Sequence, residues 1–129
     1  FLEYALSTGA EDLLSVTYQW WNDAQVMRLR YEDAVRDPEH VLGSQVTALG
    51  GDAQRVRPLL DSLSMEKMRA TPNRHGWQGK PGLWRRLIVP QDAFRIYKRH
   101  QRVFDCLGYS VKPYFLTRGS AHKHWLQLL

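Results

Sequence analysis

The sequence predicts an α/β fold of the nucleotide-binding type, mostly helical, built around one central parallel-type strand. Three observations predict it. Val26, Met27, Leu29 and Tyr31 supply the apolar side of a short run read as a buried strand over about residues 25–31. A polar turn follows and ends in Asp37-Pro38. Asp37 can accept from the unsatisfied N–H groups of the next turn, and Pro38 suits the first helical position. Val41, Leu42, Val46 and Leu49 then recur at helical spacing until Gly50-Gly51 stop the helix. A strand feeding a helix through a short polar turn is the unit of α/β nucleotide folds, where ligands sit at the carboxyl ends of strands. Tyr31 falls at that end.

Taken in order, Phe1 to Ser7 reads as the end of a helix, broken at Thr8-Gly9. Ala10 to Asp23 is a second helix with Glu11 and Asp12 favourable in its first turn. Its broad apolar face holds Leu13, Leu14, Thr17, Trp20, Trp21 and Ala24, and the Trp20-Trp21 pair is expected in the core at a helix–sheet contact. After the central strand and its helix, Asp52 to Leu63 is again helical, with Pro58 imposing a kink or a start near Arg57. Ser64 caps a short helix carrying Met65 and Met68.

Thr71 to Leu83 is the least regular part, with Pro72, Gly76, Gly79, Pro81 and Gly82 among Arg74, His75 and Lys80. Positive charge on a backbone that can approach an anion closely suits a phosphate-gripping loop. It is not a Walker P-loop, because no G-x-x-x-x-G-K-[ST] occurs. Val89-Pro90-Gln91-Asp92 opens the last strong helix. Ala93, Phe94, Tyr97, Phe104 and Leu107 form its apolar face, and Gly108 closes it. Arg95, Lys98, Arg99 and Arg102 lie largely opposite, as a solvated basic face. The tail is expected to dock Trp125, Leu126 and Leu129 as a terminal helix.

Composition narrows the class. A chain of 129 residues with 43% apolar and 12% aromatic content can form one domain, residues 1–129, with a modest core. Its formal charge of +5 suits an anionic ligand such as a nucleotide, sulfate or polyanion, and equally an ordinary domain with an Arg-rich surface. The single cysteine, Cys106, excludes an internal disulfide and fits a reducing compartment. No window approaches the roughly 18–20 apolar residues of a membrane span, and no signal peptide is visible. The localisation expected from these features is cytoplasmic. The chain opens on Phe1 rather than Met, so upstream residues are expected in the natural protein.

The histidines read mainly as structural. His40 lies in a helix's first turn and is expected to be exposed. His100 is expected to be a partly buried, hydrogen-bonded residue. His122-x-His124 lacks a third ligand for a metal, and no metal site is expected. His75 alone lies in a ligand-type loop. Glu32 and Asp33 read as turn-capping or ion-pairing groups.

An ordered series of phrases resembles the PAPS-dependent sulfotransferase family, whose donor is 3′-phosphoadenosine-5′-phosphosulfate. The series is Phe1-Leu2-Glu3, Trp20-Trp21, Tyr31-Glu32-Asp33, Asp37-Pro38 with a helix ending in Leu49-Gly50, Ser64-Met65-x-x-Met68, Gly82-Leu83-Trp84-Arg85 and Leu107-Gly108-Tyr109. It covers about residues 1–109 and resembles the carboxyl-terminal half of the domain, a partial P-loop-like nucleotide fold. The resemblance implies transfer of a sulfuryl group from PAPS to an acceptor hydroxyl or amine, leaving adenosine 3′,5′-bisphosphate (PAP), without metal. Tyr31 would contact adenine, Ser64 and Met65 would line the adenosine pocket, and Arg74, His75 and Gly76 would hold the 3′-phosphate. Met65 stands where the family has Phe, which keeps an apolar contact and loses an aromatic one. A second register of the loop puts Trp77-Gln78-Gly79 at the gripping positions without a cation. Phosphate recognition favours guanidinium, so Arg74-His75-Gly76 is preferred.

The family's phosphosulfate loop with its lysine, its catalytic histidine and the Arg and Ser completing the 3′-phosphate site lie upstream of the region Phe1 matches. The resemblance therefore implies no catalytic residue in this chain, inactivity of the chain alone, and partnership with a missing amino-terminal half. The acceptor, a small molecule or a glycan, is left open. The alternative is a non-catalytic basic helical module binding nucleic acid or another polyanion. It accounts for the charge but not for the ordered phrases, so nucleic acid is the less favoured partner.

Overall fold

The computed structural model describes residues 1–63 and 80–128. Among them the chain forms two compact units, one of residues 1–26 with 82–128 and one of residues 27–63 with 80–81.

The first unit opens with α1 (Leu2–Ala5) and α2 (Thr8–Trp21). Thr8 begins the second helix rather than breaking the first, because Ser7 is the cap: its hydroxyl accepts from Ala10 N–H at 3.4 Å. Of the face assigned to the core, Ala10 one turn earlier is the residue that is buried, whereas Leu13 and Trp20 are exposed and Trp21 is half-buried. The expected placement of Trp20 in the core is thus corrected. Leu13, Val16 and Trp20 stand at helical spacing on the outer side, and the sheet expected to receive them is absent from the described residues.

The long helix expected from Val89 to Gly108 is two helices, α7 (Pro90–Arg99) and α8 (Gln101–Cys106), preceded by the single turn α6 (Trp84–Leu87). The interruption is His100, with φ −117° and ψ 28°, only 4% exposed. Its Nε2 lies 2.7 Å from the Ala5 carbonyl, which ties the bend to α1. Gly108 then takes φ 69°, and Gly108 and Tyr109 donate to Asp105 and Phe104 carbonyls at 3.0 and 2.8 Å. That pair of bonds is the Schellman ending expected of a glycine after an apolar helix. The tail forms α9 (Arg118–Leu126), capped by the Thr117 hydroxyl, which accepts from Ser120 N–H at 3.1 Å. α9 packs on α6, and α2 packs on α8. Trp125 docks as expected, donating from Nε1 to the Leu87 carbonyl at 3.0 Å, while Leu126 is exposed. The core of this unit is made of small side chains, Ala10, Ala93 and Ala121 with Leu87 and Val89.

The second unit contains α3 (Tyr31–Arg36), α4 (Pro38–Ala48), a 3₁₀ turn over Ala53–Arg55 and α5 (Val56–Ser62). The Asp37 cap is formed, its carboxylate accepting from His40 N–H at 3.2 Å with Pro38 at the first position. Gly50, at φ 77°, and Gly51 donate to the Thr47 and Val46 carbonyls at 2.9 and 2.8 Å, a second Schellman ending. A Cβ on Gly51 would meet Val46 Cγ1 at 2.8 Å, so the close return of the chain also requires glycine there. α5 begins one residue before Arg57 and carries Pro58 near its start, where the missing N–H costs little.

The α/β expectation is corrected: there is no strand and no sheet among the described residues. Arg30 is extended, with φ −91° and ψ 133°, but residues 27–29 exchange no backbone hydrogen bond with any described residue. Extended backbone becomes a strand only when a neighbour takes its N–H and C=O groups. The apolar side is not buried either, since Met27, Leu29 and Tyr31 are 45%, 43% and 50% exposed. The first turn of α3 begins at Tyr31 itself, so the polar stretch read as a turn is helical.

Candidate functional site: a cationic cleft at the entry to α3 and α4

Residues 27–30 deliver the chain to α3 without helical structure, Arg30 itself being extended, and Arg28 and Arg30 line the same cleft. α3 and α4 meet at Asp37, so Arg36, the last residue of one helix, and His40, in the first turn of the other, come together. Ser44 follows one turn beyond His40. These residues, with Asp33 and Asp37, line an open cleft of about 480 Å³.

Its charges are partly spent internally. Asp33 forms an ion pair with Arg36, one turn on in the same helix. Asp37 is committed to capping α4, and the Ser44 hydroxyl donates back to the Val41 carbonyl at 2.8 Å. Arg28 forms no ion pair with a described residue. Three guanidinium groups against two carboxylates leave a cleft that favours an anion, and planar guanidinium edges bind phosphate or sulfate oxygens in pairs. Away from the cleft, Glu39 accepts from Arg57 at 2.9 Å and Asp61 lies 3.4 Å from it. The hydrogen bond to Glu39 and the charge of Asp61 hold the Arg57 guanidinium more firmly protonated.

Among the described residues no group of three or more His, Cys, Asp or Glu converges as for a metal ion. Cys106 accepts an amide N–H from Asn22 at 3.5 Å, and no base lies beside it among the described contacts.

Of the residues expected to hold the nucleotide, Tyr31 is half-exposed on the first turn of α3, immediately after Arg30. Ser64, Met65, Arg74, His75 and Gly76 lie outside the described residues. Sequence reading did not single out Arg28, Arg36 and His40 as a group. The signal was present in the closely spaced arginines before α3 and in the helix-to-helix junction at Asp37, but the junction was read as a turn. No described helix is long and apolar enough to cross a membrane. No family model, curated protein or solved structure matches the chain.

Proposed function

We infer that this chain is the carboxyl-terminal portion of a PAPS-dependent sulfotransferase, and that its share of the work is to hold the nucleotide donor. The observation that carries this reading is the ordered series of phrases from Phe1-Leu2-Glu3 to Leu107-Gly108-Tyr109. Local geometry supports it where those phrases are described: Asp37 caps α4, Gly50 ends it after Leu49, and Gly108 ends α8 before Tyr109. The cationic cleft beside Tyr31 supplies donors suited to the anionic groups of such a donor. Sulfuryl transfer needs donor and acceptor aligned and charge on the transferring group stabilised, and a protein can divide those tasks between segments.

The test is equilibrium binding of PAP to the chain and to Arg74→Ala, Arg95→Ala and Arg102→Ala variants. Phosphate recognition by Arg74 predicts a selective loss at that position of roughly tenfold or more. Equal, steeply salt-dependent losses at all three arginines are the signature of the alternative, a basic module for polyanions, and would sink the sulfotransferase reading.

A further inference from the structure

The carbonyl groups at the end of α6 (Trp84–Leu87) are taken by side chains of the tail. A single helical turn leaves its last carbonyls unsatisfied, and in a packed place each must find a donor. His124 Nδ1 sits 2.8 Å from the Arg86 carbonyl, Trp125 Nε1 donates to Leu87 at 3.0 Å, and the Tyr114 hydroxyl donates to Ile88 at 2.5 Å. Three consecutive carbonyls are thereby fixed from one segment 26 to 38 residues away in sequence. The Tyr114 ring also stands edge-on to Trp84, centroids 5.4 Å apart and planes at 87°.

Arg85 lies inside this arrangement. Its guanidinium carbon is 5.0 Å from the centroid of Trp84 and 5.7 Å from that of Tyr114, and it has no hydrogen bond or ion pair with a described residue. A guanidinium held against two aromatic rings keeps its N–H edges for a pair of oxygens on an oxyanion such as phosphate while its swing is restricted. Burial pushes the Tyr114 phenol up, so it remains a donor to Ile88 throughout the neutral range.

We propose that the tail is a strap that orients Arg85 for a phosphate ester, with Tyr114, His124 and Trp125 as positioning residues. The proposal rests on the nucleotide reading above for the identity of the ester, and on the geometry of this unit for the rest. Arg85 makes the contact; the three tail residues act through it by holding the turn that carries it.

The experiment measures binding of PAP and, separately, of inorganic pyrophosphate to the whole chain, well below its melting midpoint. The variants are Arg85→Ala, Tyr114→Phe and the two combined, each with its thermal midpoint recorded. Tyr114→Phe keeps the ring and removes only the donor to Ile88. The expected result is a loss of affinity of roughly tenfold or more for Arg85→Ala and a smaller loss for Tyr114→Phe. In the Arg85→Ala background, Tyr114→Phe should cost no further affinity, because a residue that acts through another is silent without it. Lower midpoints with unchanged affinity, or additive losses, would overturn the strap. Pyrophosphate binding that depends on Arg85 and, through it, on Tyr114, without PAP binding, would uphold the strap and reject the nucleotide reading. Absence of both kinds of binding would reject both.

Discussion

At the scale of the residue, the hydrogen bond between His100 and Ala5 shows how one side chain redirects a helix. A continuous run from Pro90 to Cys106 would keep the His100 ring along the helix; instead the backbone departs there and the buried ring reaches the carbonyl of α1. Replacing His100 by Leu keeps an apolar fill and strands that carbonyl. The expected cost is about 1–3 kcal/mol, read as a lower midpoint in denaturant unfolding with an unchanged slope. A cost below a few tenths would mean that water satisfies Ala5 equally well. His100 was legible as a satisfied, partly buried residue because an isolated histidine on an apolar face needs a partner. Its partner was not legible, because Ala5 lies ninety-five residues away.

At the scale of the element, what the sequence made plain were the ends of helices. Asp37, Gly50 and Gly108 act on bonds within a few residues, and a cap or a left-handed glycine carries its whole reason in local sequence. Gly108→Ala, which forces a Cβ into φ 69°, is therefore expected to destabilise by roughly 1–2 kcal/mol, measurable by thermal or denaturant unfolding. An unchanged midpoint would show that α8 tolerates another ending. The central strand misled for the opposite reason. A run such as Val26–Tyr31 states a preference for extended backbone, and Arg30 follows it, but pairing is a property of neighbours. The outer face of α2 misled in the same way, since apolar spacing predicts a face to be covered and says nothing of what covers it. The cleft of Arg28, Arg36 and His40 was illegible because it depends on how α3 and α4 join, whereas Tyr31 was visible as the aromatic at the end of an extended run.

At the scale of the whole molecule, the two units each bury small side chains and leave several large apolar ones exposed, so stability depends heavily on polar anchors. Two of these anchors are tyrosines with raised pKa values. The hydrogen bond to Asp105 raises Tyr97 above the ordinary tyrosine value, and burial raises Tyr114. A phenol whose folded pKa exceeds its unfolded value near 10 contributes stability that is complete below that pH and lost as pH rises through the folded value. Thermal midpoints should accordingly fall above about pH 10, and less steeply in Tyr114→Phe than in the unsubstituted chain. An identical pH dependence in the variant would show that Tyr114 does not ionise later in the folded state. The charge of +5 belongs to this scale too, drawing anions to the molecule without choosing among them. Choice rests on placed groups, and the proposed function places the sulfuryl-transferring groups in a different segment from those described. The measurement that tests this most directly is the intact mass and amino-terminal sequence of the protein from its native source. The expected mass is well above the 15.1 kDa of this chain, with a Gly/Ser/Thr-rich, lysine-containing loop upstream of Phe1. A native protein of 15.1 kDa beginning at Phe1 would contradict it, because no donor-activating loop would then accompany the nucleotide-holding half.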